Sequence, residues 1–375
     1  MSSEQIQLIV LGRFPPPNDG QAIATNRFVE NLGDSFVITS INTSVDASAS
    51  VLGKIRSYFQ SGSELRAALK RMPSAIIVWH SISPELAGHL RDLMTIFPAL
   101  KNRRVIAVVH WGKFASVFTK AATAMSARLA VASLDKVVFT DASLSNACEK
   151  WLSSGQRCVI PNSIDQLAQA SPDEVALAQS QRPHAPFRVL FLSNMIKEKG
   201  YLDVLGAVCL LNEQGVKVSA TFAGAWQTDE DREMFLEQVR QGNATEFITH
   251  LGAISDRTRI KKLYLEADVF VLPSYLKEAQ PLTIAEALSA GTPAIVANDG
   301  GMPAMIDYGK AGRVVSAQNV QGIRDAILEL SNAATWEECS QHARQIFEDR
   351  FASVGVRQQW TDLIRRVAEE DHRLP

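Results

Sequence analysis

Short apolar β-rich runs alternate with longer stretches of helical period along the whole chain. In the first half the runs are IQLIVL (6–11), FVITSI (36–41), AIIVWH (75–80), VIAVVHW (105–111), KVVFT (136–140) and CVIP (158–161). In the second half they are FRVLFLS (187–193), KVSATFAG (217–224), FITHLG (247–252), DVFVLPS (268–274), PAIVAN (293–298) and RVVS (313–316). Most are continuously apolar and do not alternate, which is the pattern of strands buried on both faces of a parallel sheet. Strand–helix alternation through both halves predicts an α/β chain of two doubly wound, parallel-sheet domains. The polar, proline-bearing stretch 165–186 reads as the boundary. The expected division is 1–165, a linker 166–186, a second domain 187–350, and a C-terminal helix in 351–375 that packs back on the first domain. That helix, Val354 to Glu370, carries Val356, Trp360, Leu363, Ile364 and Val367 on one stripe.

Composition agrees with this reading. The chain has 375 residues, 46% of them apolar and 21% charged, with a net charge of −2. Disordered, collagen-like and coiled-coil classes are excluded, and two domains follow from roughly 100–200 residues each. Four scattered cysteines form no C-x-x-C pair, which suits a reducing compartment better than a disulfide framework or a zinc site. The first residues lack a basic start with a long apolar run, so no signal peptide is expected. No run approaches the ~20 apolar residues of a spanning helix. A cytoplasmic location is therefore expected, without nucleic acid as a partner. Residues 1–170 hold 17 Lys and Arg against 12 Asp and Glu, a surplus of +5, and the remainder carries −7. The basic half favours an anionic partner; random surface charge is the alternative.

Ligands of parallel α/β sheets sit beyond the C-terminal ends of the strands, so the strand-to-helix loops hold the candidate residues. In loop 12–32, Pro15 to Pro17 end the strand, and Gly20 precedes a helical pattern whose N-terminus favours anions. A plain turn glycine is the alternative. No G-x-G-x-x-G or Walker A spacing occurs, which removes support for dinucleotide and P-loop readings. In loop 191–211, Lys197 and Lys199 lie between strand and helix, either as point charges for a phosphate or as solvated loop lysines.

Loop 274–296 is the most informative. Pro281 suits a helix first turn, and Leu282, Ile284, Ala285 and Leu288 face inward before Gly291 ends the helix. Glu286 lies inside this apolar helix, and a buried carboxylate needs a partner. A vicinal diol would serve. Glu278 precedes the helix, whose free amides at Leu282 and Thr283 could bind phosphate. Two ordinary surface carboxylates are the alternative. His110 ends the fourth strand as a candidate ligand contact, with His80 after the third given less weight.

Three features read as structural. Asp229-Glu230-Asp231 spells a metal–diphosphate triplet but opens an amphipathic helix after Thr228. Asp256 starts another helix. The stretch Lys113 to Leu134 has Phe114, Val117, Phe118, Ala121, Met125 and Leu129 at helical spacing, with Lys120 and Arg128 alongside. It packs on the sheet or lies on an anionic membrane.

On these residues the chain resembles the retaining glycosyltransferases of family 4, glycosyl transferases group 1, over nearly its whole length. Glu278 through Glu286 fits that family's E-x7-E signature, followed by Gly291 and Pro293 in its usual turn; Gly20 fits the early glycine loop, and VIPNSID (159–165) its V-I-P-N-G-x-D run, with Ser163 in place of glycine. The resemblance implies a GT-B fold, two Rossmann-like domains facing across a cleft, the first on the acceptor side and the second holding a nucleotide sugar. It implies transfer of a sugar from a UDP- or GDP-sugar to a glycan or lipid-linked acceptor hydroxyl, with retention of configuration, in cell-surface polysaccharide biosynthesis. No cofactor or metal is expected, and peripheral contact with the inner membrane face would run through the first domain. Glu286 would hold ribose hydroxyls, Glu278 would sit at the reaction centre, Lys199 with amides near Gly20, Leu282 and Thr283 would neutralise the diphosphate, and His110 would contact the transferred sugar. Ser193-Asn194 replaces the usual Gly-Arg, so Lys197 supplies the missing charge or the diphosphate grip is weaker. A sugar-nucleotide epimerase, a glycogen-synthase-like polymerase and an inactive nucleotide-binding scaffold are the alternatives.

Overall fold

The computed structural model describes residues 5–16, 20–45, 50–80, 86–112, 114–182, 184–276 and 278–370. It divides into two units, 1–162 with 353–375, and 163–352. Each expected β-run forms a strand, with ends shifted by a residue or two. The first unit holds β1 (Gln7–Gly12), β2 (Val37–Asn42), β3 (Ile76–Trp79), β4 (Val105–Val109), β5 (Lys136–Phe139) and β6 (Arg157–Val159) in the order β2-β1-β3-β4-β5-β6. The second holds β7 (Phe187–Leu192), β8 (Val218–Ala223), β9 (Ile248–His250), β10 (Val269–Leu272), β11 (Ala294–Ala297) and β12 (Gly312–Val315) in the order β12-β11-β10-β7-β8-β9. The pairings in both sheets are parallel. Strand order reverses between β1 and β3, and between β7 and β10. Such reversals leave a crevice outside the carboxyl ends, the usual ligand position of an open α/β sheet.

Both faces of each sheet are covered. Leu8 and Val10 of β1 face a cluster with Phe28, Trp360 and Ile364, whereas Ile9 and Leu11 face Leu65, Phe114 and Phe118. Two covered faces explain the unbroken apolar runs. The helix Ser353–Glu369 buries Val356, Trp360, Leu363, Ile364 and Val367, the stripe expected of it, within the first unit.

Two expectations need correction. Residues 166–186 are not merely a connector. They carry the helix Pro172–Ser180, closed by a capping box between Ser171 and Glu174, and belong to the second unit. Only Val175 of this helix is buried, so its apolar period is too weak to read from the sequence. The stretch 113–134 is not one amphipathic helix either. A short 3-10 turn (Phe114–Phe118) buries Phe114, Val117 and Phe118, and a separate helix (Ala124–Ala132) leaves Met125 and Leu129 exposed. The turn at 119–123 separates the two, so the stripe does not continue from one to the other. Pro17 and Lys113 lie outside the described residues.

An ionic cluster ties the amino edge of the second sheet. Asp268, fully buried before β10, accepts from the Arg188 amide (2.7 Å), the His184 amide (3.2 Å) and His184 Nδ1 (2.9 Å). Arg182 lies beside it with Nε at 4.0 Å and stacks over Trp336, and burial lowers its guanidinium to about 10. The indole of Trp336 donates to the Asp268 carbonyl at 2.7 Å. Removing one partner from such a set strands the others, at ~3–5 kcal/mol. Asp268→Ala is accordingly expected to lower the urea midpoint of the second unit's unfolding with little change in m-value; a midpoint like the wild type's would show the cluster to be dispensable.

Candidate functional site

The parallel ladder delivers every loop that follows a strand of the second sheet to one edge. There the segment after β7 forms a 3-10 turn, Lys197–Lys199, stopped by Gly200 at φ +82°. A Cβ at Gly200 would lie 2.7 Å from Pro273 Cγ, so the turn is pressed against the loop after β10. The Tyr275 amide donates to the Glu198 carbonyl at 2.9 Å across the same junction. This contact places Lys199 Nζ on Glu278 Oε1 as an ion pair, both side chains mostly buried. Ser274 Oγ stands 3.5 Å from the same carboxylate oxygen. Lys199 and Glu278, 79 positions apart, therefore meet at the β7/β10 reversal.

Glu278 is held from below by residues that the sequence reading passed over. The Gly301 amide donates to the Glu278 carbonyl at 2.9 Å. A Cβ at Gly300 would sit 2.1 Å from that carbonyl oxygen, and one at Gly301 2.0 Å from the Ala279 oxygen. Only glycine fits where two backbones touch. The signal was present as adjacent glycines directly after an apolar run.

Pro281 is the N-cap of the helix Leu282–Ser289, one position earlier than expected, and the cap has no side-chain hydrogen bond. The amides of Leu282 and Thr283 fall in the turn whose N–H groups have no intrahelical acceptor. Ile284, Ala285 and Leu288 are buried as expected, and Leu282 packs partly against the same core. Glu286 is 3% exposed and accepts from the Tyr264 hydroxyl at 3.4 Å. Burial, then the Glu286 charge, pushes the Tyr264 phenol well above its ordinary value. The carboxylate thus has a protein partner, and its burial alone does not demand a bound diol.

Lys197 is half exposed and pairs with Asp231 at 2.9 Å. The hydrogen bond from Lys197 lowers the Asp231 carboxyl and raises the lysine. Asp231 lies in the first turn of the helix Asp229–Gln241, capped by Thr228, which is the structural reading of the acidic triplet. Lys197 and Lys199 therefore engage different carboxylates. Asn194 is exposed beyond β7, and its carbonyl accepts from the Ile196 amide.

In the first unit, Gly20 is the first residue of the helix Gly20–Leu32 and is exposed, with nothing within 4 Å of where a Cβ would be. Among the described residues, no packing requirement explains that glycine. Gly12, at the end of β1, is the sterically required one: a Cβ there would meet His80 Cβ and Thr25 Cγ2, each at 2.9 Å. His110 follows β4, half-buried, and its Nε2 lies 3.2 Å from His80 Nδ1. Burial pushes His110 down to about 4, and burial with His110 alongside pushes His80 well below its ordinary value. Both imidazoles are neutral at neutral pH. Among the described residues, no group of three or more His, Cys, Asp or Glu is placed to share a metal ion. A cavity of about 220 Å³ lies by Arg182, Trp336 and Ser340, and none of the candidate residues lines it.

Residues 173–346 match the family described as Glycosyl transferases group 1. Over 165 residues the chain is 26% identical to the amylovoran biosynthesis glycosyltransferase AmsK of Erwinia amylovora, covering 43% of this chain and 40% of that protein. The chain thus spans well under half of that relative's length. Among solved structures, sucrose-phosphate synthase from Thermosynechococcus elongatus superposes with a TM-score of 0.75 at 17% identity, over 96% of this chain and 99% of that one. Anabaena HepE in complex with UDP and glucose gives 0.69 at 16% identity, over 96% and 99%. These likenesses establish architecture. Residues 173–346 thus resemble the glycosyl transferases group 1 family, and the two parallel six-stranded sheets with flanking helices are the GT-B pattern of the solved neighbours.

Proposed function

We propose that this protein is a retaining glycosyltransferase that moves a sugar from a nucleotide sugar to the hydroxyl of a glycan or lipid-linked acceptor during cell-surface polysaccharide assembly. The observation that carries the reading is the Lys199–Glu278 pair at the β7/β10 reversal, beside the free amides of Leu282 and Thr283. A cation, helix-end amides and a carboxylate at one sheet edge suit a diphosphate whose sugar lies next to an acidic group. The name of the amylovoran relative favours a polysaccharide product, and the UDP held by HepE favours UDP over GDP. An epimerase, a polymerase and an inactive scaffold remain the rival readings.

In this mechanism the anomeric C–O bond breaks with its electron pair moving to the diphosphate. Lys199 and the amides at Leu282 and Thr283 take up that charge, with no metal needed. The acceptor oxygen bonds to the anomeric carbon on the same face, and its proton passes to the departing phosphate oxygen. Glu286 holds the ribose hydroxyls, and Glu278 contacts the donor sugar once the diphosphate has drawn off Lys199. In the second unit Lys197 and Asn194 border the diphosphate; in the first, the amides near Gly20 suit an anion and His110 a sugar hydroxyl.

The first unit also supports a membrane-facing reading. Leu52, Ile55 and Phe59 are exposed along one stripe of the helix Val51–Arg71, which carries Lys54 and Arg56, and Met125 and Leu129 are exposed beside Arg128. Apolar side chains among basic ones suit an anionic lipid surface at an inner membrane face.

Three measurements test this function. Loss of a charged hydrogen-bond partner costs ~1.5–3 kcal/mol, so Glu286→Gln and Glu286→Ala are expected to weaken UDP binding in calorimetry by roughly ten- to a hundred-fold; unchanged affinity removes Glu286 from the site. Lys199→Ala is expected to lower turnover of UDP-glucose by ~100-fold or more with the fold intact; wild-type turnover overturns the assignment. Co-sedimentation with vesicles containing anionic phospholipid is expected, and should drop for Leu52→Asp with Phe59→Asp; binding that ignores both lipid charge and the substitutions excludes the patch.

A further inference from the structure

His80 enters none of the chemistry above, yet the fold fixes it with unusual care. Its amide donates to the Leu11 carbonyl at 2.8 Å, and its carbonyl accepts from Gln21 Nε2 at 2.9 Å. The ring is 2% exposed, tilted on Phe28 with centroids 4.5 Å apart and stacked on Trp360 at 6.2 Å. Trp360 comes from the C-terminal helix, which returns to the first unit and closes the far side of this pocket. Gly12 leaves the space that the His80 side chain occupies. What this packing aims is the ring's single polar contact among the described residues, Nδ1 toward His110 Nε2 at 3.2 Å. Both residues lie just past strand ends next to the β1/β3 reversal.

One bond between two imidazoles allows two arrangements: either His80 or His110 is the donor. The other nitrogen decides. His80 Nε2 is buried and has no hydrogen-bond partner among the described residues. A stranded N–H is costlier than a stranded lone pair, and orphaned donors are the rarer of the two in folded proteins. The proton of His80 therefore sits on Nδ1, donated to His110 Nε2. His110 must then carry its own proton on Nδ1, the nitrogen left over for a ligand. We infer that His80 is a positioning residue: it fixes the tautomer and the ring orientation of His110, so that His110 offers a donor N–H, uncharged, to a sugar hydroxyl. The orientation half of this rests on the reading of His110 as a sugar contact; the tautomer half does not. Second partners of this kind commonly decide which ring nitrogen of a working histidine bears the proton.

The two halves are tested separately. Selective ¹⁵N-histidine labelling reads the tautomers, with His80→Phe and His110→Gln giving the assignments. In the wild type both rings are expected to carry the proton on Nδ1. In His80→Phe, which keeps an aromatic ring between Phe28 and Trp360, His110 is expected to revert to Nε2–H, the tautomer a free imidazole side chain prefers. An Nε2–H tautomer of His110 in the wild type, or one that does not change in His80→Phe, overturns the inference. With UDP-glucose as donor, His80→Phe is expected to lose about ten-fold in kcat, the worth of one hydrogen bond, with donor KM little changed. His80→Asn, whose amide can donate from near the Nδ1 position, is expected to restore most of that loss. If His80 only packs, the order reverses, with His80→Phe active and His80→Asn impaired, and the positioning role fails. Should His110→Gln transfer sugar as well as the wild type, the sugar-contact reading falls, while the tautomer measurement still stands or fails by its own result.

Discussion

The parallel hydrogen-bonded ladder is the constraint from which the rest follows. Because each strand of the second sheet points the same way, the loops after β7, β10 and β11 crowd onto one edge. Crowding forces backbone against backbone, and only glycine fits at Gly200, Gly300 and Gly301. Those contacts in turn fix where Lys199 and Glu278 lie, since neither belongs to a regular helix or strand long enough to aim it. The site is tied to its neighbouring loops through main-chain hydrogen bonds.

The two edges of that sheet use charge differently. At the amino edge Asp268 is enclosed, with backbone amides, His184 and Arg182 around it, and serves stability. At the carboxyl edge the Lys199–Glu278 pair is partly open and has few other partners, so an incoming anion can compete for the lysine. A buried carboxylate held by several donors is a staple, whereas a partly solvated pair is exchangeable. Lys197 illustrates the exposed extreme, held by Asp231 at the surface, where solvent screens the attraction.

In the first unit burial sets protonation. Two histidines at hydrogen-bond distance inside an apolar pocket cannot both be charged, and desolvation alone lowers each. The stacking of Trp360 on His80 ties that state to the last helix of the chain, which is otherwise distant in sequence.

The sequence by itself determined the layers. Strands covered on both faces must be apolar throughout, so every β-run from 6–11 to 313–316 could be located to within a residue or two, and the stripe of the last helix was equally plain. It also marked the carboxyl edge of each sheet, with Lys199, Glu278 and the helix of Glu286 following strands of the second and Gly20 and His110 following strands of the first, because a parallel sheet has only one carboxyl edge. Tertiary structure alone decided the partners. The meeting of Lys199 with Glu278, of Glu286 with Tyr264, of Lys197 with Asp231 and of His110 with His80 depends on which strands are neighbours, and local pattern carries no record of strand order. For the same reason the short helix Pro172–Ser180 was missed: it is held by Val175 and a few polar contacts to elements far along the chain, an interaction too sparse to leave a period of its own.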